Sequence, residues 1–205
     1  SLLARLNEEA PIELTVPRVV VGVTILALLL RLVFLGARPA HWDEARVAYW
    51  IDYYVDSGNF AYRRIIHGPF VQHVNYWLFQ IFGASDFLMR LPVAVVGGLL
   101  PLAALLFREH LRDDETVVLA LLLGLNAVLL YYSRFMRSDV LVGVFMFTAL
   151  GAVVRFYDTR KWRYLYAAGA LTALGFASKE NAIVYGLTWL GGGLRTFSVD
   201  GDAMN

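Results

Sequence analysis

A chain of 205 residues that is 59% hydrophobic, with a mean hydropathy of +0.57, suits a bilayer rather than water. Its net charge of +1 gives no reason to expect nucleic acid. The absence of cysteine excludes a disulfide framework, a thiol nucleophile and a Cys-based metal site.

Residues 1–16 are polar with scattered leucines and carry no cleavable-signal pattern. Pro17 opens the first apolar segment, which runs to about Gly36. Arg31 within it must either snorkel to the headgroups or face a protein groove. His41-Trp42-Asp43-Glu44-Ala45-Arg46 follows, placing two adjacent carboxylates at the membrane surface. The residues after it predict an amphipathic helix. Val47, Trp50, Ile51, Tyr54 and Val55 share one face, Arg46, Asp52 and Asp56 point elsewhere, and Ser57-Gly58-Asn59 ends it. With Trp and Tyr at headgroup depth, this helix is expected in the interface plane. Asp43 and Glu44 have two readings. Asp43 caps the helix while Glu44 complements its dipole, or the pair carries chemistry, since capping needs only one of them.

Phe70 to Phe82 is a shorter segment holding Gln72, His73, Asn75 and Gln80. It is too short and too polar to cross roughly 30 Å of hydrocarbon, which makes it a second interfacial or re-entrant helix. Spans are expected at about 87–107, 115–133, 139–156, 163–178 and 181–197. The fold class is then all-α, a polytopic membrane protein of about six transmembrane helices with interfacial helices in the first extracytoplasmic loop. Residues 1–197 form one transmembrane part, and the polar tail 198–205 reads as the cut end of a larger protein. Two basic loops, Arg108–Glu115 and Arg155–Arg163, fall on one side with the N-terminus and Arg195, which the positive-inside rule makes cytoplasmic.

That topology has a consequence at the other face. Asp43, Glu44, His67, Arg134, Arg137, Asp139, Lys179 and Glu180 all land outside, at or near span ends, as a site for a charged ligand would. Taken singly each has a plainer reading: Arg and Lys anchor helix ends, and Asp139 pairs with Arg137 or Arg134. Gly97-Gly98, Gly169 with Gly175, and Gly191-Gly192-Gly193 suggest close helix packing. There is no GxxxxGK[ST] loop for ATP and no HExxH spacing among His41, His67, His73 and His110. No cofactor is certain; a carboxylate-held divalent cation is left open.

Four motifs stand in order along the chain: Asp43-Glu44 followed by His67-Gly68-Pro69-Phe70, then Gly83 to Pro92, then Ser133 to Asp139, then Gly175 to Glu180. Their order resembles the N-terminal half of the glycosyltransferase-C superfamily. Within it the chain is similar to the protein O-mannosyltransferase and aminoarabinose-transferase branch, and to an archaeal group of flippase-activity-associated proteins. The resemblance implies a polyprenyl-phosphate-linked sugar donor and a glycan, lipid or protein acceptor. Transfer would occur on the extracytoplasmic face of the cell membrane, with inversion at the sugar carbon. It implies Asp43 as general base supported by Glu44, and Asp139 as a required acid. Lys179 would lie near the donor phosphate, and His67 takes the first place of a His-Pro-Pro-Leu or Glu-Lys-Pro motif. The clustered charges themselves lead to the expectation that His67, Arg134 and Arg137 contact substrate and that Glu180 orients Lys179 or Arg137. Gly68 departs from the Pro or Lys usual after His67 and leaves the sugar open. Two other functions stand beside transfer: a component that assists flipping of lipid-linked sugars, and a secondary transporter. A transporter should place its charges and broken helices at mid-bilayer and show inverted repeats, and neither is seen.

Overall fold

The computed structural model describes residues 15–202, with side chains as far as residue 192 apart from position 65. The polar N-terminal stretch, the Arg195 side chain and the last tail residues lie outside the described residues. Every regular element within them is helical. In order these are α1 (Val16–Leu32), α2 (Trp42–Ser57), α3 (Pro69–Phe82) and α4 (Asp86–Leu99), the last running on as a 3-10 stretch (Leu100–Phe107). Then come α5 (Asp113–Leu125), α6 (Ala127–Tyr132), α7 (Ser138–Thr159), α8 (Trp162–Ser178) and α9 (Ala182–Asp202). Asp86–Phe107 and Ser138–Thr159, 22 residues each, are long and apolar enough to cross a membrane.

Most expected segments appear with shifted ends. The first apolar segment stops being helical at Leu32 rather than Gly36. The segment expected at 115–133 is not one helix. It breaks at Asn126, whose ψ of 126° is non-helical and whose side chain accepts from the Val128 and Leu129 N–H groups. A short polar side chain that offers the backbone an alternative partner ends one helix and caps the next.

The two surface helices pack against each other and against the bundle. Ile51 of α2 and Val71 and Phe79 of α3 belong to the same apolar core as Val93, Leu141 and Phe145. Tyr54 stacks on Tyr76 at 4.1 Å between ring centres, and Phe60 and His73 complete an aromatic seam. The predicted apolar face of α2 is therefore spent on protein, with Trp50 taking the Arg63 guanidinium 3.3 Å above its ring.

Glycine allows close approach at some of the expected positions. A Cβ at Gly97 would stand 2.7 Å from Ser133 Cβ, one at Gly98 2.5 Å from Leu28 Cδ2, and one at Gly175 2.7 Å from Met146 Sδ. Gly169 and Gly191 meet nothing within 4 Å, so no packing role attaches to them. Arg31 faces inward. It is fully buried and donates to the Ala27 and Gly124 carbonyls, tying α1 to α5. At one end of the bundle the two basic loops meet through Arg155–Glu109 at 3.1 Å and His110–Asp158 at 3.0 Å. The predicted site residues lie at other element ends: Asp43 and Glu44 in the first turn of α2, His67 before α3, Arg134 and Arg137 before α7, Asp139 in its first turn, and Lys179 and Glu180 after α8.

Candidate functional site

The site is built around Glu44. This carboxylate is fully buried and accepts five hydrogen bonds: two from Arg90, one from Arg38, and one each from the N–H groups of His41 and Met136. Arg90, also fully buried, donates to the Leu35, Arg38 and Pro39 carbonyls as well. The pair thus fastens the α1–α2 linker, α2, α4 and the loop before α7 to one point. Burial by itself pushes the Glu44 carboxyl up, but Arg90 and the two backbone donors outweigh it and hold it below the usual carboxylate range. Fully buried and engaged by five donors, Glu44 is not among the residues that line the neighbouring cleft.

Asp43 is not the helix cap. His41 takes that place: its Nδ1 accepts from the Asp43 N–H, and Glu44 reaches back to the His41 N–H to complete a capping box. The Asp43 carboxylate is left with no capping duty, and it turns into a cleft of about 390 Å³, counting its open mouth. Val47, Ile66, His67, Met136 and Arg137 line that cleft with it. Asp43 Oδ1 accepts from Arg46 at 2.8 Å and Oδ2 from Arg137 at 2.6 Å. Arg46, expected to point elsewhere, therefore belongs to the site.

From Asp43 a row of alternating charge continues. Arg137 Nε is 3.3 Å from Asp139, and Lys179 Nζ is 2.5 Å from the other Asp139 oxygen. Arg137 directly precedes α7, Asp139 is in its first turn, and Lys179 directly follows α8, so the α7–α8 packing brings the three together. The donor phosphate that the resemblance implies gives Lys179 a test: Lys179→Gln is expected to lower donor affinity or transfer about ten- to a hundredfold, the scale of one charge-assisted contact to phosphate. Lys179→Arg should recover part of it, because charge is kept while geometry changes. Transfer measured against donor concentration checks both, and wild-type kinetics for Lys179→Gln would reduce the lysine to an anchor.

His67 and Glu180 form a second contact. Glu180 does not orient Lys179 or Arg137; it accepts from the Tyr62 hydroxyl and lies 3.3 Å from His67 Nδ1. The Tyr62 hydrogen bond, with smaller help from His67, holds the Glu180 carboxyl below its usual range. His67 has a φ of 60°, uncommon for a residue with a side chain, and is kept there by the residue that follows. The Gly68 N–H donates to the Ser178 carbonyl at 3.2 Å, and any Cβ on Gly68 would stand 2.2 Å from the Ala177 oxygen. Pro or Lys cannot stand at this position without moving the end of α8, which is why glycine occupies it.

Arg134 takes a different place from the other predicted residues. Its guanidinium donates to the carbonyls of Leu30, Arg31, Val33 and Phe34, closing the C-terminal end of α1. Arg46, Arg90, His41 and Tyr62 complete the site and were not singled out by sequence. Arg90 carried a usable signal, a charge inside an apolar segment, which needs a buried partner. The Gly83-to-Pro92 motif is otherwise structural. Gly83, at a φ of 79°, ends α3, and Ser85 caps α4 by accepting from the Leu88 N–H. Among the described residues no three His, Asp or Glu side chains converge as cation ligands. The Arg137 guanidinium stands between Asp43 and Asp139.

A family model described as dolichyl-phosphate-mannose-protein mannosyltransferase matches residues 66–195. No curated protein and no solved structure matches the chain.

Proposed function

The chain belongs to the dolichyl-phosphate-mannose-protein mannosyltransferase family of the glycosyltransferase-C superfamily, and from that premise we propose a membrane enzyme that moves a sugar from a polyprenyl-phosphate donor to an acceptor hydroxyl, inverting at the sugar carbon. The observation that carries this reading is the Asp43 carboxylate, freed from capping, in one cleft with His67 and Arg137 and joined through Arg137 to Asp139 and Lys179. A phosphate-linked sugar brings its own leaving group. The protein must take a proton from the acceptor and neutralise the departing phosphate. Asp43 does the first; Arg137 and Lys179 do the second. Glu44 holds Asp43 in register through the α2 N-terminus, and Glu180 holds His67 at the rim. An apolar cleft of about 810 Å³ opens beside Asp139, lined by Leu123, Val128, Leu129, Val140 and Phe147, and accommodates part of a prenyl chain. Transfer by the full-length protein from a defined lipid-phosphate sugar tests the reading. Tight binding of that lipid without transfer would favour assistance of flipping instead.

We propose further that six spans put this site on the extracytoplasmic face, with residues 1–197 as one transmembrane part and 198–205 beyond it. Support comes from the two basic loops joined at one bundle end and the candidate site built from other helix ends. Because the chain lacks cysteine, single cysteines report topology cleanly. Phe60→Cys and Tyr131→Cys are expected to react with an impermeant maleimide in intact cells. Leu111→Cys and Arg160→Cys should react only after permeabilisation. Labelling of positions 60 and 131 from opposite sides would overturn the arrangement.

A further inference from the structure

We propose that Arg137 exchanges partners during the reaction, passing from Asp43 to the leaving phosphate as Asp43 receives the acceptor's proton. This rests on the reading of Asp43 as base and of a lipid-phosphate sugar as donor.

The two arginines on Asp43 are not equivalent. Arg46 lies one helical turn further along α2, so the helix itself maintains the bond to Oδ1. Arg137 reaches Oδ2 from the start of α7, and the same guanidinium holds Asp139 through Nε. A planar guanidinium with five N–H donors can keep one partner while another of its nitrogens changes partner. Lys179 holds the far oxygen of Asp139, which fixes the pivot. His67 faces the same cleft, with Glu180 behind it, and neither touches Arg137.

Charge bookkeeping along the row favours the exchange. Arg46, Arg137 and Lys179 against Asp43 and Asp139 leave one positive charge in surplus, matching the single negative charge of a phosphodiester donor. In the transfer step the acceptor O–H bond breaks and its proton goes to Asp43 Oδ2. The acceptor oxygen bonds to the anomeric carbon. The anomeric carbon–phosphate oxygen bond breaks, and its electron pair leaves with the lipid phosphate. Asp43 thereby loses one negative charge as the phosphate gains one. Moving Arg137 from the neutralised carboxyl to the phosphate keeps its charge paired with an anion, while Arg46 keeps the neutral Asp43 oxygen as a hydrogen-bond acceptor.

The test uses the product, which needs no turnover. Binding of a short-chain polyprenyl monophosphate to the full-length protein in nanodiscs is compared for wild type, Asp43→Asn, Arg137→Gln and the double variant, each with its folding checked by thermal melting. Asn has the shape of the carboxyl without its charge and so imitates the protonated base. Asp43→Asn is expected to bind the monophosphate about three- to tenfold more tightly, less than the full yield of one charge-assisted hydrogen bond because the pair is partly solvated. In the Arg137→Gln background the same change should gain nothing, a coupling that a double-mutant cycle isolates. Folded Asp43→Asn binding no better than wild type, or a gain that persists without Arg137, overturns the exchange. A wild-type protein that does not bind the monophosphate overturns the donor reading itself, and the exchange with it.

Discussion

Asp43→Asn in the full-length enzyme is expected to lower turnover by about 100-fold or more, the scale of losing a general base. The substitution is unusually clean here. The α2 cap is His41, so helix initiation does not depend on the Asp43 side chain. An amide oxygen can still accept from one of the two arginines, and the cleft keeps its shape. What Asn cannot do is take the acceptor's proton. The measurement is single-turnover transfer at saturating donor, alongside thermal melting in detergent. Near-wild-type turnover would remove Asp43 from the chemistry and leave the two arginines as a structural clamp.

Glu44→Gln should fail for a different reason. It leaves the Arg90 guanidinium buried without a counter-charge, and breaking a buried pair in this way costs about 3–5 kcal/mol. Low yield and a lowered melting temperature are the expected readouts. Replacing both residues, as Glu44→Gln with Arg90→Met, removes the stranded charge and should destabilise less than the two single changes added together. A strictly additive double variant would mean that the pair is not coupled. Acid should act on the same point. Because the folded protein holds Glu44 below its usual range, this stabilisation is complete above about pH 4.3, the unperturbed value, and is lost as pH falls through the lower folded value. The two neighbouring acids therefore separate experimentally: substitution of one impairs chemistry in a folded protein, and substitution of the other impairs folding.

That separation was invisible in the sequence, where Asp43-Glu44 reads as one unit. Adjacent residues on a helix point about 100° apart, so one side chain enters the interior and the other the cleft. Which one does so depends on where Arg90 lies, 46 positions away. The identity of the N-cap, which the sequence leaves open, has a related cause. His41 and Asp43 both stand where a cap can form, and the choice fell to the histidine once Glu44 was drawn inward and bonded the His41 N–H. Arg134 and Arg137 show the same limit. They are three residues apart in one loop, yet one closes the end of α1 and the other reaches the Asp43 cleft.

By itself the sequence determined the all-helical class, the apolar segments at about 87–107 and 139–156, the stop at Gly58 and the family, because hydropathy, helical periodicity, turn residues and motif order are local properties of the chain. It also marked Asp43, Glu44, His67, Arg134, Arg137, Asp139, Lys179 and Glu180 as a group, since charges at the ends of apolar helices are costly without a purpose. Tertiary structure alone decided the partners. The inward turn of Glu44, the place of Arg46 beside Asp43, the closure of Glu180 on Tyr62 and His67, and the bridge that Arg137 makes between two carboxylates each join residues on different elements or choose between faces of one helix. A hydrogen bond depends on a few tenths of an ångström and an angle, and those are fixed only when helices distant in sequence have packed.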